Sequence, residues 1–234
     1  MTPRRGTPLG RASARLFPED PERHGELPAL LLLLTFVTGL VDAASFLGLD
    51  HVFVANMTGN VVFLGFALAG DTQLSATASL LALGAFVAGA WAGGRIAPRV
   101  ARREPLFALL VAAHAVLVAA ALLTGLADDV RHVLIVLLAL GMGLQNAVVH
   151  RLAVADLTTT VLTRTLTGLA ADRPGPATLR RTASVLAMFT GALTGALLQL
   201  RHGTPAALAP ALALLCAVAL AAALAAARSA RGTG

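Results

Sequence analysis

Two clusters of polar side chains interrupt apolar stretches of this chain, about a hundred residues apart. The first comprises Asp42, Asn56, Thr58 and Asn60, and the second comprises Asn146, Asp156, Thr158 and Arg164. The flanking sequence repeats with them, at an offset of 104 residues from Gly39 to Gly143 and of 100 residues from Thr58 to Thr158. A duplicated polar cluster inside apolar segments is typical of a membrane protein that holds a site between its two halves.

Asp42 and its counterpart Asn146 differ in charge, which makes the two halves chemically unequal. A carboxylate in an apolar segment is costly unless it is paired, hydrated or protonated. We interpret Asp42 either as a gating, proton-coupling or cation-contacting group, or as an interfacial residue hydrogen-bonded to the loop that follows it.

Asn56, Thr58 and Asn60 form the densest polar cluster. If the backbone breaks here, Asn56 or Thr58 is expected to cap a half-helix that begins at about Met57. The partial positive charge of that helix end would face an anionic or polar solute. Alternatively, these residues only satisfy the free backbone groups of a broken helix.

Asp156 and Arg164 lie about two helical turns apart in the second cluster, too far for a direct bond along one helix. Arg164 is expected to pair across the core with Asp42 or Asp156, to bind an anion, or to extend towards the cytoplasmic interface. The threonines around it, including Thr158, line a wet path more easily than they face lipid.

The remaining reactive residues predict no enzyme, no cofactor and no metal site. Neither HExxH nor GxSxG occurs, and the histidines are scattered without ligand spacing. His114, alone in an apolar segment, is interpreted as a packed neutral residue. Cys216 is the only cysteine, so it forms no intramolecular disulfide.

The composition predicts a polytopic α-helical membrane protein. Hydrophobic residues make up 57% of the chain and charged residues 13%, with a mean hydropathy of +0.79, whereas a soluble domain carries about 25% charged residues. All 18 basic residues are arginine and lie mainly in connections and tails. We therefore attribute the net charge of +6 to the positive-inside bias and expect a bilayer, not nucleic acid, as the partner.

Six apolar segments are long and clean enough to cross a bilayer, and two, 52–70 and 153–171, carry the polar clusters. If those two enter and return on one side, fifteen arginines are cytoplasmic and two are outside, against eleven and six for eight full spans. The first arrangement fits the positive-inside bias better. It predicts an all-α fold of six transmembrane helices plus two re-entrant or broken segments, arranged as two inverted repeats; the alternative is eight spans in parallel repeats.

The predicted organisation has four parts: a disordered, arginine-rich cytoplasmic tail (1–26), a first membrane repeat (27–127), a second repeat (128–228) and a C-terminal tail (229–234). Both termini are expected on the cytoplasmic side of a bacterial plasma membrane. The third spans match with small residues four apart, at Ala88/Ala92 and Gly191/Gly195. Such faces let helices approach closely and would permit a homo-oligomer.

The stretch from Thr38 to Leu47, followed by Val52 to Asn60 with its Asn-Met-Thr-Gly-Asn string, resembles the YoaK family of small bacterial integral membrane proteins. The resemblance covers about residues 28–227 and implies a multi-span protein of the plasma membrane, without a known substrate. From the residues we expect a transporter or channel for a small solute with its site between the repeats. The alternatives are a non-catalytic membrane scaffold or assembly subunit and, less favoured, a lipid-modifying enzyme.

Overall fold

The computed structural model describes residues 7–18, 24–100, 102–124, 130–157, 159–160 and 162–231. Within these ranges the regular structure is helical, with nine α-helices and no β-strand. The helices are α1 (Pro8–Leu16), α2 (Leu27–Gly48), α3 (Met57–Leu68), α4 (Ala76–Ile96), α5 (Arg103–Thr124), α6 (Arg131–Leu152), α7 (Leu162–Ala171), α8 (Pro176–His202) and α9 (Thr204–Arg231). A short 3-10 turn, Ala97–Arg99, continues α4.

Six helices, namely α2, α4, α5, α6, α8 and α9, are long and apolar enough to cross a bilayer, which confirms the predicted number of spans. A helix satisfies its own backbone groups, as lipid requires. The Ser75 hydroxyl caps α4 by accepting a hydrogen bond from the Ala78 N–H at 3.1 Å. Gly203, with φ of +79°, separates α8 from α9. Because α9 continues to Arg231, the predicted C-terminal tail 229–234 begins inside a helix.

The two polar segments contain short helices. α3 has 12 residues and α7 has 10, so at 1.5 Å per residue they are about 18 and 15 Å long, against a hydrocarbon core of about 30 Å. Neither spans a bilayer on its own. The segments 52–70 and 153–171 are therefore broken, and the alternative of eight full spans does not describe this structure.

The prediction of a disordered tail over 1–26 is wrong for Pro8–Leu16, which form α1. This helix has an apolar face that packs on α2 and α8. The hydroxyl of Ser13 accepts a hydrogen bond from the backbone of α2 at 3.2 Å, and Arg180 of α8 donates to the Leu16 carbonyl at 3.1 Å. The sequence showed charged residues and prolines here, but the surface on which α1 packs is completed by α8, which is distant in the sequence.

Ion pairs at the helix ends establish how the spans run. Arg131, which begins α6, lies 3.1 Å from Asp50, just beyond the end of α2, so α2 and α6 run antiparallel. Arg228 near the end of α9 lies 3.0 Å from Glu26, just before α2, so α9 also runs opposite to α2. α5 joins α6 through a short connection and packs against it, which makes that pair antiparallel as well.

Glycines bring two further pairs of spans into close contact. A Cβ on Gly191 or on Gly195 of α8 would meet the backbone carbonyl of Phe36 or of Leu40 in α2, respectively. Four residues further along α8, the contact is also four residues further along α2, so α2 and α8 run parallel. The absence of side chains at these positions lets the helix backbones touch.

The same arrangement joins α4 to α6. A Cβ on Gly89 would meet the Leu140 carbonyl, and one on Gly93 would meet the Ala147 side chain, so these helices are also parallel. The glycines of α4 that correspond to Gly191 and Gly195 are thus Gly89 and Gly93, at an offset of 102 residues. The predicted pairing through Ala88 and Ala92 is one residue out of register.

Candidate functional site

The first break in the membrane region follows α2. Asp50 and His51 have φ angles of 53° and 54°, a left-handed conformation that ends helices and costs a non-glycine residue about 1–2 kcal/mol. The chain then runs extended past Asp42, whose Oδ1 accepts hydrogen bonds from the N–H groups of Val54 at 3.0 Å and Ala55 at 2.8 Å. Asp42 is only 9% exposed. Its contacts match the interpretation in which it hydrogen-bonds the loop that follows its helix.

Asn60 closes the same break from the other side. Its Oδ1 accepts a hydrogen bond from the Phe53 N–H at 3.0 Å, and its Nδ2 donates to the Phe53 carbonyl at 2.6 Å. Asn60 is buried and holds the extended stretch against the first turn of α3. We therefore place Asn60 among the residues that satisfy the broken backbone.

α3 begins at Met57, as predicted, but Asn56 at the N-cap position makes no side-chain capping bond. The expectation that this side chain caps the half-helix is therefore corrected. Asp42 and Asn60 hold the backbone before the helix, at Val54 and Phe53, and in the first turn the Gly59 N–H donates to the Asn56 carbonyl at 3.1 Å. Asn56 and Thr58 are exposed instead.

The second break follows α6 and is held by charge. Ala153 and Asp156 have left-handed φ angles of 47° and 60°. The Asp156 carboxylate lies 3.1 Å from Nη2 of Arg180 and 2.9 Å from Nε of Arg181. Both arginines come from α8, with side chains 7% and 16% exposed. Asp156 is thus paired, but with these two arginines and not with Arg164.

Arg164 lies on the exposed side of α7. Of the roles expected for it, the ion pair with Asp156 is wrong, because Asp156 binds Arg180 and Arg181 instead. Thr158 lies outside the described residues. Two residues further towards α7, the hydroxyl of Thr160 donates a hydrogen bond to Oδ1 of Asn146 at 2.8 Å. Asn146 therefore does in the second half what Asp42 does in the first: it holds the segment that precedes the short helix.

A cavity of about 530 Å³ lies between the two halves. Its walls come from α3 and α4 of the first half and from α6 and the segment before α7 of the second half. Three of the predicted site residues line it, namely Asn56, Thr58 and Asn146; three polar residues outside the predicted set also line it, namely His150, Arg151 and Thr160. Asp42, Asn60, Asp156 and Arg164 are not among its lining residues.

The cavity reaches the end of the bundle at which α4 and α6 finish, since Pro98 and Arg151 both line it. Its inner wall is formed by Ala55 to Thr58 at the start of α3, and by small residues of α4 such as Ala90 and Gly94. This volume and mixture of apolar walls with a few polar groups suit a small molecule.

Sequence reasoning missed Arg151 and His150 as cavity residues because they lie at the end of a span, where basic side chains commonly anchor a helix at the membrane interface. The available signal was their position within two helical turns after Asn146, on the same helix. It also missed Gln145, whose buried Nε2 donates to the Thr38 hydroxyl at 2.9 Å and ties α6 to α2. Within the described part of the chain, no three His, Cys, Asp or Glu side chains are grouped to hold a metal ion.

Comparison of the sequence with known proteins assigns the chain to a family. Residues 30–221 match the family described as "Protein of unknown function (DUF1275)". The chain is 37% identical over 150 residues to the UPF0700 transmembrane protein YoaK of Bacillus subtilis (strain 168), which covers 62% of this chain and 67% of that protein. No solved structure matches.

Proposed function

The chain belongs to the DUF1275 family, a family of integral membrane proteins, and from this premise we propose that it is a transporter or channel for a small solute. The cavity between the halves is the observation that carries the proposal. It collects polar residues from both copies of the duplicated cluster, Asn56 and Thr58 from the first and Asn146 from the second. A solute site at the interface of two repeats is the common plan of transporters built by duplication.

The directions of the spans support an inverted repeat. Relative to α2, the helix α5 runs the same way and α4 the opposite way, whereas in the second half α6 and α9 run opposite and α8 runs the same way. Each span of the first half thus opposes its counterpart in the second half. We propose that both termini face the cytoplasm of a bacterial plasma membrane, because this orientation places the arginines near Arg95 and Arg173 inside.

The two short helices supply what such a path requires. Interrupted helices occur at membrane depth only where they are buried in protein or line a polar cavity. The break before α3 is held by Asp42 and Asn60. In the described contacts, the side chains of Asn56 and Thr58, which line the cavity, form no hydrogen bond within the protein. These two side chains are the ones we propose to contact solute.

A matched pair of glycines on α4 tests the proposal. A Cβ at Gly94 or at Gly84 would meet nothing within 4 Å, but only Gly94 lines the cavity. We expect Gly94→Phe to fill the cavity and lower flux at least tenfold, while Gly84→Phe keeps the flux of the wild type. The assay is uptake into phosphatidylcholine proteoliposomes of labelled acetate, alanine, glycerol, glucose and rubidium ion. If no probe enters faster than in protein-free liposomes, or if both variants behave alike, the proposal fails.

The alternative of a membrane scaffold or assembly subunit was supported by the small residues of the spans and by the arginine-rich tail. In the structure, Gly191 and Gly195 contact α2, and Gly89 and Gly93 contact α6. These faces are therefore used within the chain and are not free for a partner or a second copy. We also propose that the chain is not an enzyme, because among the described contacts no hydrogen bond joins the lining His150 to the hydroxyl of Thr58 or Thr160, as a base-activated nucleophile requires.

A further inference from the structure

We propose that the cavity selects small anions, carboxylates or phosphate, with Arg151 as the residue that recognises their charge. This inference names the class of solute and so builds on the proposed function. It stands on the charge of the lining: Arg151 brings a permanent positive charge, and none of the lining residues that the structure describes is Asp or Glu. A guanidinium binds carboxylate and phosphate through paired N–H groups.

Two cavity-lining positions are Asn in one half and match an Asp in the other half, so a carboxylate could have stood at either of them. Asp42 corresponds to Asn146, and Asp156 corresponds to Asn56, at the offsets of 104 and 100 residues. In each pair the amide lines the cavity and the carboxylate lies elsewhere. The carboxylates of these two pairs are thus absent from the described lining of this cavity.

Both carboxylates also form hydrogen bonds or ion pairs with other parts of the protein. Asp42 accepts the N–H groups of Val54 and Ala55, and Asp156 is bound by the two arginines of α8. Asp42 is bound by the backbone N–H of Ala55, a residue of the cavity wall, but is not itself among the described lining residues. An anion in the cavity therefore meets Arg151 as the permanently charged side chain of that lining.

Arg151 has no counterpart in the first half, where the matching position is Leu47, an exposed apolar residue. In the part of the chain that the structure describes, no ion pair is formed by Arg151. The difference in charge between Arg151 and Leu47 therefore lies at the mouth of the cavity, near the ends of α4 and α6. An anion that enters there passes Arg151 and then reaches the amide of Asn56 and the hydroxyl of Thr58, which can donate hydrogen bonds to it.

The test compares anions with neutral molecules of the same shape. The full chain is reconstituted in nanodiscs of zwitterionic phosphatidylcholine, which excludes anionic headgroups as ligands, and binding is measured by calorimetry. The probes are acetate against acetamide, succinate against succinamide, and inorganic phosphate. We expect at least one carboxylate to bind ten times more tightly than its amide, or phosphate to bind where the amides do not. The affinity for phosphate compared with that for acetate and succinate then shows which type of anion the cavity prefers.

Variants of Arg151 then assign the charge recognition. We expect Arg151→Gln to weaken anion binding about five- to tenfold and to leave the amides unchanged, while Arg151→Lys keeps most of the affinity. Arg131→Gln, at the opposite end of the same helix, is the matched control and should bind as the wild type does. Equal binding of anion and amide, failure of every anion to bind, or an Arg151→Gln variant with unchanged anion affinity would overturn the inference.

Binding and flux separate this inference from the proposed function. If glycerol or glucose crosses the membrane and Gly94→Phe blocks it, while no anion binds, the cavity is a path and the anion inference falls. If anions bind and depend on Arg151 but no probe crosses the membrane, the inference holds and the transport proposal falls.

Discussion

Replacing Asp42 separates its structural interpretation from the functional one. In the structure its carboxylate accepts two backbone hydrogen bonds, from Val54 at 3.0 Å and Ala55 at 2.8 Å, in a nearly dry site. Asp42→Ala leaves both N–H groups without this acceptor. Each buried donor left unsatisfied costs about 1–3 kcal/mol. Some of this loss is offset because a buried carboxylate is also removed, so we expect the first break to be destabilised by about 2–4 kcal/mol.

Asp42→Asn is the matched variant, because it keeps an oxygen acceptor of the same shape in the same place. Only the charge assistance of the two bonds is lost, which is worth about 1 kcal/mol. We therefore expect the asparagine variant to keep the structure and most of the flux. A residue that carried a proton would not tolerate this change, since an amide does not titrate, and one that bound a cation would bind it more weakly, since an amide oxygen carries no net charge.

The direct measurement is hydrogen–deuterium exchange of the peptide that contains Val54 and Ala55, in nanodiscs. A loss of about 2 kcal/mol raises the exchange rate of these amides about thirtyfold in Asp42→Ala, whereas Asp42→Asn should raise it less than tenfold. Asn146→Ala, the counterpart on α6, should leave this peptide unchanged. Unchanged protection in Asp42→Ala would refute the reasoning, and an asparagine variant that folds normally but has no flux would return Asp42 to a functional role.

Three further predictions concern packing, charge and topology. Gly191→Ala should lower the free energy of unfolding by about 1–3 kcal/mol in SDS-titrated mixed micelles, because its Cβ would meet the backbone of α2; Gly65→Ala, where nothing lies within 4 Å, should raise it slightly, and equal effects would contradict the close approach of the helices. Asp156→Ala should cost about 2–4 kcal/mol in the same assay, because Arg180, which is 7% exposed, loses this carboxylate and Arg181, which is 16% exposed, keeps only its pair with Asp172; a stability equal to the wild type would show that Asp156 contributes nothing. In a cysteine-free background, Ser75→Cys should react with a membrane-impermeant thiol reagent on whole cells and Thr178→Cys should not, whereas the reverse pattern would place the arginines outside.

The positions of the spans could be predicted from the sequence because hydrophobic length is a local property. A helix that crosses lipid must satisfy its own backbone and carry about 20 apolar residues, and both conditions can be assessed one segment at a time. The positions of the breaks were equally local, since Asn56 and Thr58 interrupt the apolar run just before or at the start of α3.

The roles of the polar residues could not be predicted in the same way. Asp42 finds its donors 12 and 13 residues further along, and Asp156 finds its arginines 24 and 25 residues away on another helix. A sequence shows that a buried charge needs a partner, but several arginines were available to Asp156. The choice depends on which helix ends lie at the same depth, and this follows from the packing of α8.

What the sequence determined by itself was a six-span helical membrane protein with two polar interruptions, because apolar length and residue identity are enough for that conclusion. Only the tertiary structure decided which copies face the shared cavity. It turned the amides of Asn56 and Asn146 inwards, engaged the carboxylates of Asp42 and Asp156 elsewhere, and brought Arg151 to the mouth. The physical reason is that glycine contacts such as those of Gly89 and Gly191 set the register between helices, and register determines which side of each helix meets the cavity.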